Sequence, residues 1–396
     1  MRVRIGQLLV MLCMPLLMVG CHPRPLLFNV AVSPSIISPN ADGIEDITRI
    51  SYSMGMAGRV SIYLIDPAGQ QHAIRSEAER PVGDYESLFG GVVNNRLLPD
   101  GHYTCVVEAE SSNGQRARVE APLTLQGGEP SLIQVQNLNI YPTTFTPNRD
   151  GIADRVTIAY YLTKEATSVQ VYLVGSDGSK YPVPEDKIRP MGAAGNHEHD
   201  YEGGVDLGAT PPPDGSYRVV VEARDAVGNV DLAEGTLTIK NGGVPRVEIV
   251  NRAAQWSTRV LPLGDTLTFT CTVRNIGNVA VRTKGPPSGT LYTTEENYNA
   301  KQAYEEPGTF RLGLDYEGNS SGRTYPFRWQ LGTDEALTVI DGQKYLLPGQ
   351  TVQVVGHLKV IDKPVKVAPY YWLGLIHEQV WIVEDRVEPI PVTIGF

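Results

Sequence analysis

Two short loops carry the acidic and amide side chains whose spacing is most typical of a binding site. Both follow the pattern Asn-x-Asp-Gly-x-x-Asp, with Asn40, Asp42 and Asp46 in one loop and Asn148, Asp150 and Asp154 in the other. Oxygen ligands spaced in this way around a glycine turn resemble part of a calcium loop, and Ca²⁺ takes about six to eight oxygens. Calcium is therefore a candidate cofactor at both loops.

The same residues also predict a hydrogen-bonded turn without a metal. Asn and Asp side chains accept hydrogen bonds from nearby backbone amides, while Gly43 and Gly151 adopt the positive φ that the turn needs. Three side chains are too few to hold Ca²⁺ by themselves. The turn is the favoured interpretation, calcium stays open, and we expect no other cofactor.

Two histidine-containing segments invite comparison with metal sites. His197-Glu-His-Asp200 would place both imidazoles on one face of an extended segment, as a transition metal requires. Because this segment follows Gly192-Ala-Ala-Gly195, we expect a solvated loop instead. His377-Glu378 begins like the zinc-protease motif His-Glu-x-x-His, but Trp381 occupies the fifth position, so the second ligand is missing.

Catalytic and nucleic-acid-binding signals are absent from the sequence. It contains no Gly-x-Ser-x-Gly elbow, no phosphate-binding glycine loop and no Cys-x-x-Cys pair, so we assign no catalytic residue and expect a non-enzymatic protein. The formal net charge is -10, from 34 basic and 44 acidic residues. Such a chain lacks the basic surface that nucleic acid requires.

The N-terminus predicts export. Arg2 and Arg4 precede an apolar run over residues 8–19, which is shorter than the ~20 residues of a membrane-spanning helix and typical of a secretory signal. The run ends Leu17-Met-Val-Gly-Cys21, which resembles the bacterial lipobox, although Met18 stands where Leu is usual. The resemblance implies cleavage of residues 1–20 and a lipid on Cys21. We expect an anchor in the outer membrane, or on the outer face of the cell membrane, followed by a short tether over residues 21–27.

An internal repeat determines the predicted architecture. Ile37–Asp46 recurs 108 residues later as Phe145–Asp154, and Pro99-Asp-Gly-His-Tyr103 recurs as Pro213-Asp-Gly-Ser-Tyr217. The repeat predicts two related domains, over residues 28–128 and 129–243, with a third over 244–396. Short alternating strands between Gly, Pro, Asn and Asp clusters predict an all-β chain of three tandem immunoglobulin-like β-sandwiches. Cys105 and Cys271 lie in such strands of different domains, where we expect buried, unpaired thiols.

The repeat motifs resemble the immunoglobulin-like domain of the flagellar hook-capping protein family. That pattern also has a Trp-Asp-Gly turn, from which both copies depart with Phe89-Gly-Gly91 and Tyr201-Glu-Gly203. The resemblance implies the sandwich fold over residues 28–240. The family's N-terminal assembly region is missing from this sequence, so no flagellar function is carried over.

The third domain resembles the bacterial cell-adhesion-related, CARDB-type, immunoglobulin-like module. Its Pro262–Asn278 segment contains a Gly-Asp turn leading into a strand, and Leu347–Val355 gives a second match. An insertion over residues 283–326 is additional to that module. It mixes Gly, Asn, Ser and Glu with Tyr292, Tyr298, Tyr304, Tyr316 and Tyr325. Tyrosines are enriched at binding surfaces, so we predict a recognition surface here, with a structural flap over the sandwich edge as the open alternative.

Together these features predict a lipid-anchored envelope protein for binding, adhesion or scaffolding. Two related domains would hold a larger domain away from the membrane, and the partner would be an envelope protein or a surface saccharide. Two alternatives stay open. One is a hydrolase or metal-dependent enzyme acting on envelope polymer, with its site in the third domain. The other is an accessory subunit of a larger membrane complex, which would carry a broad apolar patch. The sequence predicts no oligomeric state.

Overall fold

A computed structural model describes residues 24–129, 131–184, 190 and 192–395. These residues form β-strands almost throughout, with three 3-10 helices of three or four residues within the described ranges. The predicted all-β fold class is confirmed. Alternate side chains of each strand point to opposite faces, and the inward ones form three hydrophobic clusters, spanning residues 26–125, 133–239 and 247–394. The signal peptide and Cys21 lie outside the described residues and remain predictions.

The first sandwich consists of two main sheets. One has the strand order β1-β3-β6, the other β2-β10-β9-β4-β5, and β7 and β8 form a small hairpin. The strands are β1 (Leu27–Ser33), β2 (Ile36–Ile37), β3 (Thr48–Met54), β4 (Gly58–Ile65), β5 (Gln71–Arg80), β6 (Gly83–Phe89), β7 (Val92–Val93), β8 (Arg96–Leu97), β9 (Gly101–Ser111) and β10 (Arg116–Leu125).

The second sandwich repeats this topology. Its sheets have the orders β11-β13-β16 and β12-β18-β17-β14-β15. The elements are β11 (Val135–Tyr141), β12 (Thr144–Phe145), β13 (Val156–Leu162), β14 (Ser168–Val174), β15 (Lys180–Pro182), β16 (Gly195–Tyr201), a 3-10 helix (Val205–Leu207), β17 (Gly215–Arg224) and β18 (Val230–Ile239).

Matching hydrogen bonds show why the motifs are repeated. The hydroxyl of Tyr103 donates to the carbonyl of Pro99 at 2.7 Å, and that of Tyr217 donates to the carbonyl of Pro213 at 2.5 Å. In both copies the Asp of Pro-Asp-Gly accepts two amides just beyond the last strand, at 2.7–3.0 Å. This turn therefore fixes where the chain leaves each sandwich.

The third domain is larger and has more sheets. A four-stranded sheet has the order β19-β21-β28-β23, a second sheet has the order β26-β27-β22-β24-β29-β30 with β25 paired to β24, and β20 pairs with β31. The elements are β19 (Val247–Trp256), β20 (Val260–Pro262), β21 (Thr266–Asn275), β22 (Val281–Thr283), β23 (Leu291–Thr293), a 3-10 helix (Tyr298–Lys301), β24 (Phe310–Tyr316), β25 (Phe327–Gln330), a 3-10 helix (Asp334–Ala336), β26 (Thr338–Ile340), β27 (Gln343–Leu346), β28 (Thr351–Lys359), β29 (Tyr370–His377), β30 (Trp381–Pro391) and β31 (Thr393–Gly395).

The chain divides into two compact units. The first contains residues up to Leu132 with Ala226–Asn229, and the second contains Ile133–Asp225 with Val230–Phe396. The second sandwich and the third domain thus belong to one unit. Among the described residues, no helix is long and apolar enough to span a membrane.

Both predicted core cysteines are buried and unpaired. Cys105 lies in β9 of the first unit and Cys271 in β21 of the second. Burial raises the pKa of the Cys105 thiol to about 11 and that of the Cys271 thiol to about 12. Both thiols therefore remain protonated at neutral pH, which confirms their prediction as small core residues.

Candidate functional site

The Asn40–Asp46 loop is held by its own side chains. The Asp46 carboxylate accepts hydrogen bonds from the amides of Asn40, Ala41 and Gly43 at 2.7–3.1 Å. Asn40 and Asp42 accept the amides two residues further along the chain, at 2.9 and 2.8 Å. Gly43 has a φ of 86°, as the predicted turn requires.

The Asn148–Asp154 loop forms the same turn. Asp154 accepts the amides of Asn148, Asp150 and Gly151 at 2.6–3.3 Å, and Gly151 has a φ of 82°. The predicted Asx turn is confirmed in both copies. Binding of Ca²⁺ at either loop stays a prediction.

The second loop differs from the first because the third domain covers it. Asp150 is only 6% exposed, whereas its counterpart Asp42 is exposed. Arg282 Nε donates to the Asp150 carbonyl at 2.7 Å, and the Tyr345 hydroxyl donates to Asp150 Oδ2 at 2.9 Å. His377 Nε2 lies 2.8 Å from the Arg149 carbonyl, and this nitrogen carries the proton because a carbonyl can only accept. Three strands of the third domain thus bind one loop.

Two glycines allow the backbones to meet at this contact. A Cβ at Gly151 would lie 2.1 Å from the Pro307 carbonyl oxygen, and one at Gly308 would lie 2.1 Å from the Asp150 carbonyl carbon. Both glycines also have positive φ. A larger residue at either position would force the second sandwich and the third domain apart.

Arg282 is the buried cation of this contact. Its side chain is 3% exposed and pairs with Glu306 at 2.7 Å, while Nη2 donates to the Pro307 carbonyl at 2.5 Å. Lys284 also pairs with Glu306, at 2.7 Å. Arg282 therefore joins residues 306–307 of the insertion to the Asn148–Asp154 loop.

The contact changes the ionisation of two side chains. Burial, reinforced by the neighbouring Asp150 carboxylate, raises the pKa of Asp154 to about 6. Burial lowers the pKa of His377 to about 4. The His377 ring also stacks on Phe310, with 4.1 Å between ring centroids. At neutral pH His377 is a neutral hydrogen-bond donor.

A second buried ion cluster lies beside His377. Glu378 is 1% exposed, and both of its carboxylate oxygens lie 2.8 Å from Arg328 Nη1. Arg311 Nη1 lies 3.4 Å from the same carboxylate. A buried ion is tolerated only when it is paired and hydrogen-bonded. We refer to Glu378, Arg311 and Arg328 as the Glu378 cluster.

The two arginines of the Glu378 cluster also hold the backbone of the insertion. Arg311 donates to the carbonyls of Lys284, Ala303 and Tyr304 at 2.6–2.9 Å. Arg328 donates to the carbonyls of Thr324 and Tyr325 at 2.9 and 3.0 Å. The cluster therefore fixes the segments on both sides of β24.

The predicted tyrosine surface is wrong for three of its five residues, because their side chains are buried. Tyr292 packs edge-to-face on Trp329, and its hydroxyl donates to the Arg328 carbonyl. The hydroxyl of Tyr298 donates to Glu305, and that of Tyr325 donates to Asp385. Burying these rings gains more than leaving them in water, because each hydroxyl finds an acceptor.

The remaining two tyrosines are accessible to different extents. Tyr316 is half-buried and stacks on Tyr371, while Tyr304 is 64% exposed. Residues 283–326 contribute β23 and β24 to two sheets. The alternative interpretation, a structural segment, describes most of the insertion.

The histidine pair lies in a strand and not in the solvated loop that we predicted. His197 and His199 share the inward face of β16 and are 4% and 2% exposed. Both rings stack on Tyr160, with centroid distances of 5.2 and 5.6 Å. His197 Nε2 lies 2.6 Å from the Ala193 carbonyl, and His199 Nδ1 lies 3.0 Å from the Pro184 carbonyl. Within the described ranges, no three His, Cys, Asp or Glu side chains form a metal-binding group.

No sequence motif marks the buried polar side chains of this site, which are Arg282, Arg311, Arg328 and Tyr345. Arg311 alternates with Phe310 and Leu312, a pattern that places it on the solvent side of a half-buried strand. All residues of β24 except the last are buried, however, since the insertion covers the second face. A charged residue inside a strongly apolar strand, as in Phe327-Arg-Trp329, was the available signal.

Comparisons with known proteins add little to this geometry. No family model matches the chain, and no curated protein matches it. Among solved structures, the fibronectin(III)-like modules of Clostridium thermocellum CbhA are 12% identical, with coverage of 53% of this chain and 92% of that one and a TM-score of 0.21. The resemblances to the hook-capping and CARDB-type modules stay expectations from sequence motifs.

Two further similar structures come from binding proteins. A 1.5-MDa bacterial ice-binding adhesin is 13% identical, with coverage of 86% of this chain and 100% of that one and a TM-score of 0.20. Bacteroides ovatus SGBP-B, solved with a mixed-linkage heptasaccharide, is 12% identical, with coverage of 91% and 65% and a TM-score of 0.16. Similarities of this size carry no argument about function.

Replacing Arg282 tests the contact between loop and third domain. We expect Arg282→Met to destabilise the contact by about 3 kcal/mol, because the buried Asp150 carbonyl loses its donor and the part-buried Pro307 carbonyl and Glu306 carboxylate each lose one. Amide exchange over residues 146–154 should then be about 100-fold faster. The matched control is Arg218→Met, whose exposed pair with Glu234 in the same sandwich should cost at most about 1 kcal/mol. Equal exchange rates in the two variants would contradict the assignment.

The pKa of His377 predicts a pH dependence. An unfolded histidine gains its proton near pH ~6.5, but the folded side chain gains it only near pH 4. The stability that comes from neutral His377 is therefore lost as the pH falls through this window, by about 2 kcal/mol between pH 7 and pH 5.

The measurement is urea unfolding of the intact chain and His377→Gln at pH 7 and pH 5. The raised pKa of Asp154 acts in the opposite direction, so the difference between the two proteins is the informative quantity. We expect the variant to lose clearly less stability on acidification. An identical pH dependence of the unfolding free energy in both proteins would contradict the role of His377 in the contact.

Proposed function

We propose that this chain is a lipid-anchored cell-envelope protein that binds a partner through its third domain and uses its two related sandwiches as a spacer. The observation that carries the proposal is a pair of exposed aromatic side chains above the Glu378 cluster. Tyr304 is 64% exposed and Trp381 is 63% exposed. We refer to these two residues as the aromatic pair.

Hydrogen bonds bring the two segments of the aromatic pair together. Arg311 binds the Tyr304 carbonyl and pairs with Glu378, which precedes Trp381 by three residues. Gly308 donates its amide to the Glu378 carbonyl at 3.0 Å, and Trp381 lies opposite His377 in the β29–β30 pairing. Residues 304–308 therefore run alongside residues 377–381.

Exposed aromatic rings on a fixed backbone suit recognition. Tyr and Trp are the residues most enriched among those that dominate binding energy, and leaving them in water forgoes the gain from burial. The Glu378 cluster holds the backbone beneath them before a partner binds, so less conformational entropy is lost on binding.

The polar groups that invited comparison with metal sites are engaged in structural contacts. His377 binds the Arg149 carbonyl, and Glu378 pairs with two arginines. The Asn148–Asp154 loop uses its carboxylates on backbone amides and on Tyr345. This arrangement supports binding over hydrolysis, with an envelope protein or a surface saccharide as the expected partner class.

Substitution of the aromatic pair tests the proposal. We expect Tyr304→Ala and Trp381→Ala each to weaken capture of the partner by about 10-fold or more, as loss of an anchor residue does. The matched control is Tyr141→Ala, which removes a 74% exposed tyrosine from the second sandwich. The intact lipoprotein and its variants are cross-linked in isolated envelopes, and captured protein and saccharide are both scored.

A deletion of residues 283–326 would be a poor test, because it removes β24 from the core of the third domain. The point substitutions remove side chains that are mostly exposed and leave β24 in the core. Capture that is equal for the aromatic variants and the Tyr141 control would contradict the proposed recognition surface.

A further inference from the structure

The first sandwich carries a cleft of about 480 Å³ at one end. The cleft is lined by the start of β4, the end of β5 and the end of β9, including Arg59, Arg80, Pro81 and Ser111. We define the cleft end by its three segments, residues 57–59, 79–82 and 110–114. The contacts of Arg24 and Pro25 show that the chain enters the sandwich at this end.

The entering chain is held tightly to the fold. Leu26 is 1% exposed, and its carbonyl accepts the Gly55 amide at 3.0 Å. A Cβ at Gly55 would lie 2.3 Å from the Pro25 carbonyl oxygen, so only glycine allows this close approach. Gly55 precedes the cleft residue Gly58 by three positions. The chain is therefore fixed beside the cleft from residue 25 onward, so the predicted tether over residues 21–27 is wrong for residues 25–27, which pack on the sandwich.

The distance from this entry point to the predicted lipid is short. Only His22 and Pro23 separate Cys21 from Arg24. A fully extended chain spans at most ~3.6 Å per residue, so the Cα atoms of Cys21 and Arg24 are at most about 11 Å apart. A lipid on Cys21 inserted in a bilayer would hold the cleft end close to the headgroups.

The side chains at the cleft end suit a phospholipid surface. The turn between β5 and β6 presents Val82, which is 57% exposed. The Tyr85 hydroxyl holds this turn by donating to the Pro81 carbonyl at 2.9 Å. An apolar tip of this kind can enter the boundary between headgroups and acyl chains.

Two exposed arginines lie on neighbouring strands at the cleft end, with Arg116 and Arg59 on either side of Glu110. Arg59 and Arg116 are 52% and 70% exposed and form solvent-exposed ion pairs with Glu77 and Glu110, each at 3.3 Å. Such pairs contribute at most about 1 kcal/mol, so a phosphate can replace the carboxylate at little cost. Guanidinium groups bind phosphate oxygens in bidentate geometry.

We propose that the cleft end rests on the phospholipid surface, with Val82 at the headgroup boundary and Arg59 and Arg116 on lipid phosphates. This proposal rests on the proposed function, since it needs the lipid on Cys21. It gives the first sandwich a fixed orientation, because β9 runs the length of the domain from Gly101 to Ser111. Eleven residues of strand span about 35 Å, so the Asn40–Asp46 loop at the opposite end points away from the membrane.

The test compares labels at the two ends of the first sandwich. Val82→Cys and Ile44→Cys are made in the full lipidated chain and labelled with a fluorophore; Ile44 is 69% exposed in the Asn40–Asp46 loop. Cys105 and Cys271 are buried and escape labelling. The proteins are reconstituted in phosphatidylethanolamine–phosphatidylglycerol vesicles that contain a headgroup nitroxide quencher. We expect at least about 5-fold stronger quenching at position 82, since the two ends are about 35 Å apart.

A charge variant tests the arginines. Arg59→Glu should lower the quenching at position 82 by about 2-fold or more, because the carboxylate repels lipid phosphates. The matched control is Arg49→Glu, which removes an exposed pair with Glu86 of the same sandwich and should leave the quenching unchanged. Equal effects of the two substitutions would overturn the phosphate contact.

Vesicle flotation separates failure of this inference from failure of the proposed anchor. If the intact chain floats with the vesicles and both labels are quenched alike, the anchor stands and the docking surface is overturned. If the intact chain does not float, the predicted lipidation of Cys21 is wrong, and the proposed docking surface, which needs that lipid, is overturned as well. Flotation of the intact chain but not of Cys21→Ser, together with selective quenching at position 82, supports both the lipid anchor and the docking surface.

Discussion

The buried charge of Glu378 is the constraint on which the third domain depends. Its carboxylate lies between Arg311 and Arg328, and taking such charges out of water costs several kcal/mol unless each is paired. The arginines must therefore stay in place, and the carbonyls that they bind fix the insertion on both sides of β24. The adjacent His377 extends the same hairpin to the second sandwich. One hairpin thus positions the insertion, the aromatic pair and the contact between domains.

The duplicated loop shows how one turn serves two purposes. Within each copy, the side chains of Asn and Asp satisfy the backbone amides, so the loop keeps its shape without outside help. In the first copy that shape is exposed to solvent, and in the second it forms a docking element for Arg282 and Tyr345. The motif itself is nearly the same in both. The third domain buries Asp150, and burial is the main cause of the raised pKa of Asp154, with the Asp150 carboxylate of the same loop adding to it.

Features determined by local sequence were predictable, and features that need distant segments were not. The Asx turns and the two buried cysteines follow from patterns within about ten residues, and the repeat follows from a ten-residue motif that recurs 108 residues later. The segment of Tyr292, Tyr298 and Tyr325 mixes tyrosine with Gly, Asn, Ser and Glu and so predicts an exposed surface, but distant acceptors such as Asp385 make burial of the rings favourable. The residues of β24 alternate between apolar and polar as in a half-buried strand, but the rest of the insertion covers the second face of the strand. For the histidine pair, nearby glycines indicated a loop, although His197 and His199 face the core from β16.

The most direct test of the recognition surface is photo-cross-linking in intact cells. A photoreactive amino acid replaces Trp381, which is 63% exposed, in one full-length protein and Tyr141, which is 74% exposed, in another. A partner held by the aromatic pair should give one dominant adduct from position 381 that is missing from position 141. Identical adducts from both positions, or none from position 381, would contradict a binding function centred on the third domain.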